Sequence, residues 1–191
     1  MKTIVLATHN LGKAREFSRL LELSDITVKT LADFGVDRVP KETGSTFLEN
    51  ARIKAKAAMK ATGMPSLADD SGLCVDALGG APGVYSADYG GPAAPPSEKN
   101  ELLLREMAGK PDRKARFICQ LVLLYPDGRE VLAEGRCEGE ILERPRGSGG
   151  FGYDPIFFST ELGHSLAELS PAEKNLVSHR GKAIRSLMRL I

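Results

Sequence analysis

The sequence predicts an α/β fold, and three local patterns carry that prediction. Thr3-Ile4-Val5-Leu6-Ala7 is an uninterrupted apolar, β-branched run of the kind that forms a buried strand, and a helical pattern over residues 14–23 follows it. A second helix, expected to start near Phe47 and end near Gly63, is stopped by Pro65 and leads into a short strand over residues 66–68. Further on, residues 116–125 and 130–141 flank Pro126-Asp127-Gly128 and read as a β-hairpin, with proline presetting φ and glycine tolerating a positive one.

The first helix has an apolar stripe of Phe17, Leu20 and Leu21. The turn before it, Thr8-His9-Asn10-Leu11-Gly12-Lys13, has two readings. A strand, a polar Gly-Lys turn and a helix are the layout of a phosphate cradle, with helix N-terminal amides, a close approach at Gly12 and a point charge from Lys13. The same pattern also fits an ordinary capped turn, and the Walker A spacing is absent. Residues 26–29 form a candidate second strand. Thr46 and Glu49 then stand at capping-box spacing, so the second helix starts beyond them. That helix is rich in Ala and Lys. Lys54 belongs by default to its solvated face, and Glu42 in the preceding loop is a surface charge unless a partner promotes it.

Leu67-Ala68-Asp69-Asp70-Ser71-Gly72-Leu73 places two carboxylates after an apolar run. It reads as the C-terminal end of a buried strand opening into a loop, where α/β proteins place their chemistry, or else as a solvated Asp-Asp turn. Gly79, Gly80, Pro82 and Gly83 make the following stretch a shaped loop. A helix over residues 97–107 turns Leu102, Leu103 and Met107 inward. In the second hairpin strand Val131, Ala133, Gly135, Cys137, Gly139 and Ile141 alternate with Glu130, Glu134, Arg136, Glu138 and Glu140, Leu132 excepted, as in a half-buried strand. Gly149-Gly150-Phe151-Gly152-Tyr153-Asp154-Pro155 is either a nucleobase pocket, in which a ring stacks and a carboxylate reads a ring N–H, or a glycine loop pinned by one buried Phe. Ser170 and Glu173 repeat the capping box, with Pro171 at the first helical position. Beyond them Ser178-His179-Arg180-Gly181 interrupts the last helix. Lys174, His179 and Arg180 supply donors there, or simply a solvated face.

Composition narrows the functional classes. The 191 residues fit a single domain, 1–191, and the net charge of +1 gives no global attraction to nucleic acid or to an anionic membrane. Three dispersed cysteines, Cys74, Cys119 and Cys137, without a C-x-x-C pair argue against a disulfide framework or a structural zinc, and point to a reducing cytoplasm. No apolar segment approaches the ~18 residues that span a bilayer, and the N-terminal run is too short for a signal peptide.

These motifs occur together and in order, with Glu42-Thr43-Gly44, Leu78-Gly79-Gly80-Ala81-Pro82-Gly83 and Glu173-Lys174-Asn175 among them. The set resembles the inosine/xanthosine triphosphate pyrophosphatase family, the house-cleaning enzymes for non-standard purine nucleoside triphosphates, from Ile4 to about Arg185. The resemblance implies a long, mixed, twisted central sheet flanked by helices, two lobes around a deep nucleotide cleft, and a homodimer. It implies Mg²⁺-dependent hydrolysis of ITP, dITP or XTP to the monophosphate and pyrophosphate. Asp70 matches the general base and a metal ligand, and Glu42 a second metal ligand. Thr8, His9, Asn10, Leu11, Gly12, Lys13 and Ser71 match phosphate-contacting positions. Phe151, Gly152, Tyr153, Asp154, Lys174, His179 and Arg180 match base- and phosphate-binding positions, and Lys54 is an extra triphosphate contact. His9 departs from the glycine that many members carry.

Residue chemistry agrees with that assignment. Hard Mg²⁺ takes carboxylate, phosphate and water oxygens, which suits Glu42 with Asp70. Lys13 and Lys174 can meet charge growing on a pyrophosphate leaving group, as can amide dipoles at Gly12 and Lys13. Arg180, with His179, can donate to the C6 keto oxygen of hypoxanthine or xanthine, where adenine presents a donor. Asp69 is expected to support Asp70. Two alternatives remain: a pyrophosphatase of modified pyrimidine nucleotides, and a non-catalytic nucleotide-binding module.

Overall fold

A computed structural model describes residues 2–8, 10–21, 25–37 and 40–191. Among them a seven-stranded mixed sheet is accompanied by five α-helices, an α/β arrangement with the strand order β2-β1-β3-β4-β5-β6-β7. The strands are β1 (Lys2–Leu6), β2 (Ile26–Thr30), β3 (Ser66–Val75), β4 (Lys114–Leu124), β5 (Glu130–Ile141), β6 (Phe157–Ser159) and β7 (His164–Ser165). The helices are α1 (Leu11–Leu21), α2 (Phe47–Thr62), α3 (Pro96–Glu106), α4 (Pro171–Val177) and α5 (His179–Met188). β1 runs parallel to β2 and to the start of β3, with Val5 opposite Ser66 and Leu6 opposite Leu67, while β6 is antiparallel to both β5 and β7.

The chain divides into two compact units. The first holds Met1–Asp70, Cys119–Gly135 and Arg180–Ile191, and the second holds Ser71–Ile118 and Arg136–His179. In the first unit Phe17, Leu21, Leu67, Leu121 and Ile184 pack into one core cluster. A separate cluster sets Ala51, Ala55 and Ala58 of α2 against Val5, Ala68 and Val122, and these small residues let the helix lie close to the strands. The second unit is centred on Leu73, Leu103, Met107, Phe117, Phe157 and Leu166.

Local chemistry explains most boundaries. The Thr46 hydroxyl accepts from Glu49 N and the Glu49 carboxylate accepts from Thr46 N, while Gly63 closes the other end of α2 at φ 67°. Ser170 and Glu173 form the same box at α4, and Ser178, in an extended conformation, separates α4 from α5 by one residue. β5 alternates buried and exposed residues along its second half as expected, and the turn before it is closed by Gly128 N on Tyr125 O.

Two boundaries differ from expectation. α1 starts at Leu11 rather than near residue 14, because Asn10 caps it: its Oδ1 accepts from Gly12 N at 2.9 Å and Lys13 N at 3.0 Å. The strand expected over residues 66–68 continues to Val75, so Asp69 and Asp70 lie inside β3 and not in a loop after it. Each is buried, at 1% and 6% exposure. The cations gathered around them make two carboxylates tolerable in that position.

Candidate active site

β3 carries Asp69 and Asp70 just beyond Leu67, the last residue registered against β1. Side chains alternate along a strand, so the two carboxylates leave it on opposite faces and meet different partners. Asp69 Oδ2 lies 2.8 Å from Lys13 Nζ and 3.9 Å from Arg180 Nε. Burial works to raise this carboxyl, but Lys13, Arg180 and Lys54 outweigh it and hold it at about 2. Arg180 is itself buried and places Nη1 2.8 Å from the Glu16 carboxylate.

Asp70 faces α2. Its Oδ1 accepts from Lys54 Nζ at 3.0 Å, and its Oδ2 accepts from Asn50 Nδ2 at 3.2 Å. The same Lys54 ammonium donates to Glu42 Oε1 at 3.0 Å, so one cation is shared between the two carboxylates. Burial raises the Asp70 carboxyl, and Glu42 adds to the rise against the pull of Lys54. Lys54 is buried too, which favours its neutral form, yet Asp69, Asp70 and Glu42 raise its pKa above the ordinary value and keep it charged.

The first unit thus brings together Lys13, Glu42, Lys54 and Asp70 of the expected set, with Arg180 beside Asp69. Lys54 does not lie on a solvated face. Asp69 pairs with Lys13 and approaches Arg180, and its charge also acts on Lys54, the lysine that Asp70 shares with Glu42. The expected amide dipoles at Gly12 and Lys13 point at the Asn10 side chain, and Asn10 N in turn donates to Thr8 Oγ1 at 3.1 Å. Leu11 opens α1, and His9 lies outside the described residues. Sequence reasoning missed Asn50 and Glu16. Asn50 stands four residues before Lys54, and that spacing on one helix face was the available signal.

The second unit holds the glycine loop. Asp154 is buried at 3% exposure, and its Oδ2 accepts from Phe151 N at 2.7 Å and from Lys174 Nζ at 2.7 Å. Gly150 sits at φ +71°, and a Cβ there would meet the Asp154 carboxylate. Lys174 Nζ lies 4.7 Å from the centroid of the half-buried Phe151 ring. Asp154 is therefore engaged with its own loop and with Lys174. Tyr153 is a core residue, not a stacking platform: it is 6% exposed, packs in the second unit's core, and donates its hydroxyl to Ser86 O at 2.9 Å. Gly152 O accepts from Asn100 Nδ2 of α3. His179 is buried and stacks on Phe117, with centroids 4.7 Å apart and planes 11° from parallel. Ser71 follows Asp70 in β3 and is partly exposed.

Among the described residues no cluster of three or more His, Cys, Asp or Glu side chains could enclose a metal ion. The donor set at Glu42 and Asp70 nevertheless fits a hard cation, because two carboxylates already share one positive charge there. A divalent ion at this place would complete its shell with water and ligand oxygens.

A mixed α/β sheet, a buried carboxylate sharing a lysine with a second carboxylate, and a glycine loop whose Asp154 pairs with Lys174 define the class: an α/β protein equipped for anionic, phosphate-bearing ligands. The chain belongs to the Ham1 family, whose model matches residues 4–190. It is 56% identical over 188 residues to a dITP/XTP pyrophosphatase of Thermus thermophilus, covering 97% of this chain and 89% of that protein. It is 51% identical to the dITP/XTP pyrophosphatase of Lactiplantibacillus plantarum, covering 98% and 93%. Among solved structures it resembles a HAM1 protein from Coxiella burnetii, with a TM-score of 0.91, 44% identity and coverage of 100% and 98%. It also resembles the dITP/XTP pyrophosphatase of Mycobacterium abscessus, at 0.76, 42%, and 99% and 98%.

Proposed function

We propose that this protein is a nucleoside triphosphate pyrophosphatase that hydrolyses non-standard purine triphosphates, ITP, dITP and XTP, to the monophosphate and pyrophosphate, and so cleanses the nucleotide pool. The observation that carries the reading is the Glu42–Lys54–Asp70 arrangement, a buried carboxylate held beside a cation site. Its relatives in Thermus thermophilus and Lactiplantibacillus plantarum are named dITP/XTP pyrophosphatases, which supports dITP and XTP as substrates.

In this reading water attacks the α-phosphorus and pyrophosphate leaves. Asp70 orients that water and takes its proton. Burial and Glu42 raise this carboxyl against the pull of Lys54, and a divalent cation held beside it would lower it. Lys13 and Lys54 meet negative charge as it moves onto the leaving group. Glu42 and Asp70 are the residues that would hold Mg²⁺, which when bound polarises the phosphoryl oxygens. Thr8, Asn10 and Gly12 lie at the start of α1, where the helix dipole favours an anion once the Asn10 cap gives way. By the family resemblance, Phe151 to Asp154 belong to the base- and phosphate-binding positions and Lys174 serves the phosphates, while Arg180, with His179, is the donor to the C6 keto oxygen of the base. A site that bonds an acceptor rejects the adenine amino group by up to ~10⁴.

We also propose a cytoplasmic homodimer. The cytoplasmic part draws on the free, buried Cys74, Cys119 and Cys137, and the dimer on the family resemblance. Among the described residues no helix is long and apolar enough to cross a membrane.

The test is to incubate the protein with Mg²⁺ and ITP, XTP, GTP or ATP and quantify pyrophosphate and orthophosphate. Pyrophosphate formed from ITP and XTP ahead of ATP is expected. Orthophosphate without pyrophosphate, or ATP as the best substrate, overturns the reading.

A further inference from the structure

α2 presents two buried polar side chains one turn apart, Asn50 and Lys54, and together they reach both candidate metal-binding segments. Lys54 joins the two carboxylates directly. Asn50 joins the segments that bear them. Its Oδ1 accepts from Gly44 N at 2.8 Å, two residues after Glu42, and its Nδ2 donates to Asp70 Oδ2 at 3.2 Å.

The orientation of this amide is not arbitrary. A backbone N–H can only donate, so the Asn50 oxygen must face Gly44. The amide nitrogen is thereby turned to Asp70 and offers it a donor. One carboxylate oxygen is occupied, and the other, Oδ1, faces the cation side where Lys54 sits. The contact with Gly44 is also close. A Cβ built on Gly44 would lie 2.7 Å from Asn50 Oδ1 and 2.6 Å from Glu49 Cβ, so glycine is what lets the Glu42 loop reach the helix.

We propose that Asn50 is a positioning residue for the metal and water site: it fixes which oxygen of Asp70 faces the cation and anchors the loop that carries Glu42. The proposal rests on the pyrophosphatase reading for its kinetic consequence, but its geometric core concerns the two carboxylates alone. Hydrogen-bond partners of ligating carboxylates typically change metal affinity or activity 10–100-fold when removed.

Asn50→Leu is the informative substitution. It is close in size and neutral, and it removes both bonds without adding charge to the cation site. Asn50→Ala removes them too and leaves a cavity. Mn²⁺ binding to the full chain without nucleotide, followed by electron paramagnetic resonance, should weaken about tenfold in Asn50→Leu. In ITP hydrolysis the half-saturating Mg²⁺ concentration should rise by a similar factor and kcat should fall about 10²-fold, while KM at saturating Mg²⁺ stays within a few-fold. Asn50→Ala should show these effects and a lower melting temperature.

Asn50→Leu or Asn50→Ala with wild-type Mn²⁺ affinity and Mg²⁺ dependence overturns the proposal, because a merely structural residue would change the melting temperature alone. Should the wild-type chain release no pyrophosphate from any nucleotide, the functional reading fails by itself, and the Mn²⁺ titration of the two variants still decides the role of Asn50.

Discussion

The two units solve the burial of charge differently. In the first, cations and carboxylates form an open network: Lys54 serves Glu42 and Asp70, while Lys13 and Arg180 both approach Asp69. Neighbouring carboxyls on one strand are driven in opposite directions, Asp69 down and Asp70 up. In the second unit Asp154 gathers Lys174 and the Phe151 amide onto one oxygen, a compact arrangement that shapes a loop. The first resembles a site poised to exchange partners, and the second a clasp. Strongly perturbed groups cluster at functional sites, and structural ion-pair networks perturb them as well.

The sharpest way to break that contrast is to remove one carboxylate from each unit. Asp70→Asn should lower kcat for ITP by roughly 10³-fold, within the usual range for a general base. Unchanged kcat would remove Asp70 from its role. Asp154→Ala should act on the fold instead, leaving Lys174 with a buried charge and lowering stability by about 3 kcal/mol in urea unfolding. A stability loss below about 1 kcal/mol would show that the clasp contributes little.

A smaller effect comes from acid. Asp69 has a folded pKa of about 2, below the ordinary 3.8, so its charge contributes stability above the ordinary value that is lost as pH falls through the folded one. The shift corresponds to roughly 2 kcal/mol. Unfolding free energy measured between pH 6 and pH 2 should fall more steeply in the parent than in Asp69→Asn. Parallel curves would contradict the assignment.

The smallest expected effect uses a device that both units share. Thr46→Ala and Ser170→Ala each delete a capping-box hydroxyl, at α2 and α4, and each should cost about 1 kcal/mol. Melting curves for the pair sharpen the comparison. If Thr46→Ala also raises the Mg²⁺ requirement, the start of α2 is coupled to Glu42 as well as to stability.

Much of this is legible from residues alone, and the gaps have physical causes. The ends of α2 follow from Thr46, Glu49 and Gly63, and the buried and exposed faces of β5 follow from its alternating charges, because both signals are local. β3 reads too short because Asp-Asp-Ser-Gly has the composition of a loop. Only cations distant in sequence, Lys13, Lys54 and Arg180, allow it to continue as strand. The start of α1 reads late because Asn10 fits a phosphate contact as well as a cap. Tyr153 reads as part of a nucleobase pocket beside its glycines, but its hydroxyl finds Ser86 O, 67 residues earlier.

The shared lysine has a consequence for electroneutrality. With every group ionised, Lys13, Lys54 and Arg180 set three positive charges against the four carboxylates of Glu16, Glu42, Asp69 and Asp70. These seven groups sum to one net negative charge. On the proposed reading a triphosphate placed beside them adds negative charge that divalent cations or protons offset, so the affinity for nucleotide should be tied by linkage to the concentration of divalent cation in solution.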